Sequence, residues 1–197
     1  MNAALRPRIE AAARLRSRQL GQMPELLETA IELLRSADPG LGLSETEARH
    51  IAEHMVVVNY PKGAGVLREE EGTQHMLLLL SGEVSITMGD SGRVDAVTVA
   101  VLGAGSLLGE LGLLDGEPRS ASCTALSPVQ AAALSRDGLQ RLLETHPTVA
   151  AKLLAEIGKR IAQRLRSLGA QLTMYADLVA STQLQYESLK AQVGTSS

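Results

Sequence analysis

The sequence predicts a mainly β protein with flanking helices: a sandwich or barrel of short strands between N-terminal helices and one long C-terminal helix. Three observations predict it. From Met55 the chain breaks into short β-type runs (VVVNYPKG, GVL, HMLLLLSGEVSITMG, RVDAVTVAVLGAG, SASCTAL, VQAAALS) divided by Gly, Pro and Asp. Before them the apolar spacing is helical. From Arg136 it is helical again and settles into a sustained heptad.

Residues 3–20 are rich in Ala, Arg and Leu and read as a basic amphipathic helix. An organelle transit peptide is the alternative, disfavoured because Ser17 is its only serine. Residues 24–36 open with Pro24 in a first-turn position and place Leu27, Ile31 and Leu34 on one face. DPGLG then breaks the chain, and Ser44 with Glu47 reads as a capping box for a helix to about His54. In the β region MLLLL does not alternate and is expected to be buried on both faces, whereas VSITM alternates like a half-exposed strand. DGLQRLLETHP forms a short helix that stops before Pro147.

A long helix follows from Thr148. Positions 161, 165, 168, 172, 175, 179, 182, 186, 189 and 193 are Ile, Leu, Leu, Leu, Tyr, Val, Thr, Tyr, Leu and Val, spaced alternately by four and three. So long a seam has no cover in its own chain, which predicts a parallel homodimeric coiled coil. Gly169 and Thr182 weaken it, and GTSS is expected to fray. The predicted organisation is a helical segment 1–55, the β domain and its following helix 56–147, a dimerisation helix 148–193 and a disordered tail 194–197.

Composition narrows the function. Hydrophobic residues make up 45% of the 197, enough for a core, but Phe and Trp are absent, so Leu, Val, Ile, Ala and Met must fill it. Cys123 is the only cysteine, which suits a reducing, cytoplasmic setting and argues against a Cys-based metal site. No apolar run approaches the roughly 20 residues of a membrane span. Residues 1–20 carry five Arg against Glu10, a net of +4, and residues 150–197 net +3, which leaves −10 for 21–149. The central domain is therefore a poor polyanion binder, and direct DNA binding is not expected. No nucleophile–base set, metal cluster or Walker loop is present, so the chain does not read as an enzyme. His50, His54, His75 and His146 show no ligand spacing.

One segment carries chemistry: LLGELGLLDGEPRSASC, 107–123. Gly105 and Gly109 flank the start of a short helical turn, with Glu110 near its beginning. A helix start offers free N–H groups and a partial positive charge, which suits an anion. Arg119 follows the turn DGEP, and a guanidinium can grip two phosphate oxygens at once. Ser120, Ala121 and Ser122 are small and let a ligand approach the backbone. Glu110 would be repelled by a phosphate but could accept a sugar hydroxyl. Taken singly, each residue also has an ordinary reading as a surface Arg, a helix-start Glu or a Gly turn.

Their joint order resembles the phosphate-binding cassette of the cyclic-nucleotide-binding domain family of catabolite activators, protein kinase A regulatory subunits and gated channels. YPKGAGVLREEEGTQHMLLLLSGEVSI is similar to that family's first strands, with Pro61, Gly63, Gly82 and Val84 in register. SRDGLQRLLETHP resembles the helix that leaves the domain. The resemblance covers about 44–168. It implies an antiparallel β-roll of jelly-roll type, with Glu110 on the ribose 2′-hydroxyl, Arg119 on the cyclic phosphate and Ser120 beside it. It also implies Gly109, Leu111 and Gly112 as close backbone, Ala121 in the cassette, and Val99, Ala100 and Leu102 along the base pocket.

Three departures stand out. Leu108 replaces a common aromatic, Glu70 replaces a turn glycine, and Arg164 with Leu165 replaces the Thr–Ser pair that reads adenine in catabolite activators. Arg164, or Arg160, is the candidate base cap. The implied ligand is cyclic AMP, with cyclic GMP as an alternative, and no further cofactor or metal. No winged helix-turn-helix follows the long helix, so the expected protein is a stand-alone dimeric receptor acting through an unidentified protein effector. The competing reading is a dimerising adaptor whose pocket has lost its ligand.

Overall fold

The computed structural model describes residues 18–36, 42–69, 71–72, 74–88 and 97–194, with side chains described at all of these except 97, 184 and 186–194. The Arg-rich segment 1–17, Glu70 and the tail beyond Gly194 lie outside the described residues. Among those described, two antiparallel sheets form the roll. Strands β1 (Arg18–Gln19), β2 (Val56–Tyr60), β9 (Val129–Ser135), β4 (His75–Ser81) and β7 (Leu107–Leu108) make the first, in that order. Strands β3 (Gly65–Leu67), β8 (Ser122–Ala125), β5 (Val84–Met88) and β6 (Val97–Leu102) make the second.

The strand composition explains the layering. In β4, Leu77 and Leu79 belong to the cluster between the sheets, shared with Val84, Ile86, Leu108, Cys123 and Ala131. Alternation sends Met76, Leu78 and Leu80 to the opposite face, where they too are buried. Helix α1 (Pro24–Ser36) packs there, through a face that buries Leu27, Ala30, Ile31 and Leu34. MLLLL fails to alternate because both of its faces are covered.

Helix α2 (Glu45–Glu53) begins on both bonds of its capping box. The Ser44 amide donates to Glu47 Oε2 at 2.7 Å, and the Glu47 amide donates to Ser44 Oγ at 3.3 Å. Helix α3 is Glu110–Leu114, helix α4 Arg136–Thr145, and helix α5 Pro147–Gly194. Pro147 ends α4 and opens α5, since a missing N–H is harmless in a first turn. Lys152 of α5 donates to Glu47 at 2.7 Å. With the Ser44 bonds, this holds the Glu47 carboxyl down at about 2.

Three expectations change. Arg18 and Gln19 do not continue a helix; they pair with Val57 and Val56 as β1, and Leu20 beyond them is fully buried in a 3-10 turn. VSITM is not half-exposed, because Val84, Ser85 and Ile86 are all buried and Ser85 Oγ donates to the Thr124 carbonyl at 3.4 Å. Three of the four histidines do assemble. His50 and His146 stack with ring centroids 3.8 Å apart, and His54 meets His146 edge-on at 6.2 Å. Stacked rings cannot aim their nitrogens at one ion, and no metal-competent group of three His, Cys, Asp or Glu occurs among the described residues.

One compact unit runs to Glu156 and a second from Ile157. Residues 18–55 share the first unit, and Ala150 and Leu153 of α5 are fully buried in it. The second unit is a helix with Leu165, Leu168, Leu172, Tyr175 and Val179 between 49% and 69% exposed. Seam positions 186, 189 and 193 have no described side chain. No described helix is long and apolar enough to cross a membrane.

Candidate functional site

The cassette is built where β7 gives way to α3. β7 pairs with β4 through Leu77–Leu108 and Leu78–Leu107, so the chain arrives fixed. Gly109 then turns it with φ 72°, a left-handed conformation that disfavours a side chain, and serves as N-cap of α3. Glu110 is the first helical residue and is half-buried. Gly112 is buried in the same turn, whereas Leu111 is 41% exposed.

Arg119 lies beneath this turn and is only 5% exposed. Its Nη1 donates to the Gly109 carbonyl at 2.6 Å and its Nη2 to the His75 carbonyl at 2.5 Å. Its own amide donates to the Glu71 carbonyl at 3.3 Å. The two cassette glycines make room for it. A Cβ on Gly109 would sit 2.5 Å from Nη1, and one on Gly112 2.8 Å. Burial pushes the Arg119 guanidinium down from its usual range, while the charges of Glu71, Cys123, Glu110 and Tyr60 act the other way. The cation survives burial because it is hydrogen-bonded on both arms.

Three neighbours take part in ways the residue pattern does not announce. His75 contributes a backbone carbonyl, for which no residue type is diagnostic. Its ring is held neutral, down to about 4, first by burial and then by the Arg119 charge. Tyr60 packs on the inter-sheet cluster. Burial, with the Glu71 carboxylate, pushes its phenol up to about 12. Ser122, counted only as a small residue, is buried and accepts a bond from the Glu69 amide at 3.0 Å.

Gly109, Glu110, Gly112 and Arg119 thus come together, with Glu110 close enough to act electrostatically on Arg119. Ser120 is exposed, and Ala121 packs on the inter-sheet cluster together with Ala100 and Leu102. Val99 is 55% exposed. The β5–β6 register shifts between Ile86 and Thr87, so Ala100 pairs with Ile86 and Thr98 with Thr87. Alternation along β6 puts Val99 and Val101, both more than half exposed, on the face opposite Ala100 and Leu102. Arg160 and Arg164 belong to the second unit; Arg160 is half-buried and Arg164 exposed.

Residues 57–146 match the cyclic nucleotide-binding domain family. The chain is 25% identical over 165 residues to the CRP-like cAMP-activated global transcriptional regulator of Mycobacterium tuberculosis, covering 83% of this chain and 72% of that protein. It is 33% identical over 131 residues to the cyclic AMP receptor protein of Thermus thermophilus, covering 66% of this chain and 58% of that one. A cyclic nucleotide-binding domain from Methylobacillus flagellatus superposes with a TM-score of 0.63 at 31% identity, over 73% of this chain and 80% of its own. Fold, cassette and relatives agree, and this chain belongs to the cyclic nucleotide-binding domain family.

Proposed function

We propose that this chain is a cyclic AMP receptor that reports its ligand state through a homodimeric C-terminal helix to a protein effector. One observation carries the ligand assignment: Glu110 and Arg119 are gathered at one short helical turn by two glycines at which a Cβ would meet the Arg119 guanidinium. A carboxylate and a cation side by side suit a ligand with a hydroxyl at one end and an anion at the other. A cyclic nucleotide has both. The two named relatives above support adenine. The dimer is supported by the uncovered stripe from Leu165 to Val179, which a second copy would bury. Ligand would bias the dimer's state by binding one arrangement of the helix more tightly.

A second reading, an adaptor without ligand, draws on one observation. The Arg119 charge already has two carbonyl partners, so the fold can keep it buried without a phosphate. Calorimetric titration with cyclic AMP and cyclic GMP separates the two. Saturable cyclic AMP binding, weakened in Glu110→Gln, supports the receptor. No heat and no thermal shift with either nucleotide would establish the adaptor.

A further inference from the structure

The Arg119 guanidinium does more than present a charge. It fastens together two segments distant in sequence, His75 at the start of β4 and Gly109 at the cap of α3, while the Arg119 amide donates to the Glu71 carbonyl near His75. Helix α3 has five residues, too few to hold its own geometry in water, so tertiary contacts must orient it. The contact that reaches its first residue most directly is the one on Gly109. The Gly109 carbonyl and the Glu110 amide nitrogen share one planar peptide unit. Fixing that carbonyl therefore fixes where the Glu110 backbone starts, and hence where its carboxylate can reach.

We propose that Arg119 is a positioning residue for Glu110: its clamp on the Gly109 carbonyl sets the recognition of the ribose 2′-hydroxyl. This rests on the cyclic-nucleotide reading above and adds a role that does not depend on the phosphate. The clamp's geometry has a built-in probe. A Cβ on Gly112 would lie 2.8 Å from Nη1 and 3.2 Å from Cζ, while its next neighbour, the Glu117 carbonyl, is at an ordinary 3.5 Å. Gly112→Ala thus displaces the guanidinium while keeping its charge, in a helical position where alanine is favoured.

The test is a ratio of affinities for cyclic AMP and its 2′-deoxy analogue, measured by calorimetry on the full chain. A hydroxyl bonded to a carboxylate should make the wild-type ratio about 10- to 100-fold. In Gly112→Ala and in Arg119→Lys, which keeps the charge but not the fork, the ratio is expected to fall to within about threefold, as in Glu110→Gln. A role confined to the phosphate or to folding weakens both nucleotides by one factor. A ratio that stays at the wild-type value in both variants, or a loss of both nucleotides in parallel, even beyond detection, overturns the proposal. A wild-type chain that binds neither nucleotide overturns the cyclic-nucleotide reading itself, a failure visible before any variant is compared.

Discussion

Gly109→Ala and Gly63→Ala should differ in stability, although both place alanine in a left-handed conformation. Their φ values are 72° and 81°. In each, left-handed alanine costs about 1 kcal/mol, partly offset by a less flexible unfolded chain. The surroundings differ. Nothing lies within 4 Å of a Cβ on Gly63, whereas a Cβ on Gly109 meets Arg119 Nη1 at 2.5 Å and the His75 carbonyl at 3.1 Å. The guanidinium must then give up at least one of its two carbonyl bonds while buried. A hydrogen bond to a charged group contributes about 2 kcal/mol. With a urea m-value of about 2 kcal/mol/M, the Gly109→Ala midpoint should fall about 1 M below that of Gly63→Ala. Urea unfolding followed by circular dichroism, at one fixed protein concentration because association shifts midpoints, reads the difference. Equal midpoints would refute the clamp as a stabilising contact.

Two further outcomes follow from the same structure. His75 is held neutral down to about 4 by burial, against about 6.5 for an unfolded histidine. The unfolded chain therefore binds the extra proton first, so this contribution is complete above about pH 6.5 and is lost as pH falls towards 4. His75→Gln should flatten the slope of melting temperature between pH 6.5 and 4, and an unchanged slope would count against the burial. Leu172→Glu, at a position 69% exposed in the single chain, should leave the melting of the first unit intact. Sedimentation equilibrium should then find monomer in place of dimer, and an unchanged mass would remove the coiled-coil account.

Local chemistry was readable wherever it decides the structure by itself. Pro24, Leu27, Ile31 and Leu34 mark α1 with its observed bounds, and Ser44 with Glu47 marks the start of α2. The cassette was legible because glycines, a carboxylate and an arginine keep a fixed order on a short turn. What was missed depends on long-range pairing. Arg18 and Gln19 become a strand only because Val56 and Val57 lie beside them. Ser85 reads as exposed until Thr124 supplies a carbonyl for its hydroxyl. His146 joins His50 only once α2 lies against the junction of α4 and α5. Within the site, the His75 carbonyl is the same atom in every residue type, so no side-chain pattern could announce it.

The central claim is that the turn at Gly109–Gly112, with Arg119 beneath it, receives a cyclic nucleotide. A crystal structure with cyclic AMP tests it most directly. The account expects the cyclic phosphate beside Arg119 and the α3 backbone, and the ribose 2′-hydroxyl on the Glu110 carboxylate. A nucleotide bound elsewhere, or a ribose turned away from Glu110, would contradict it.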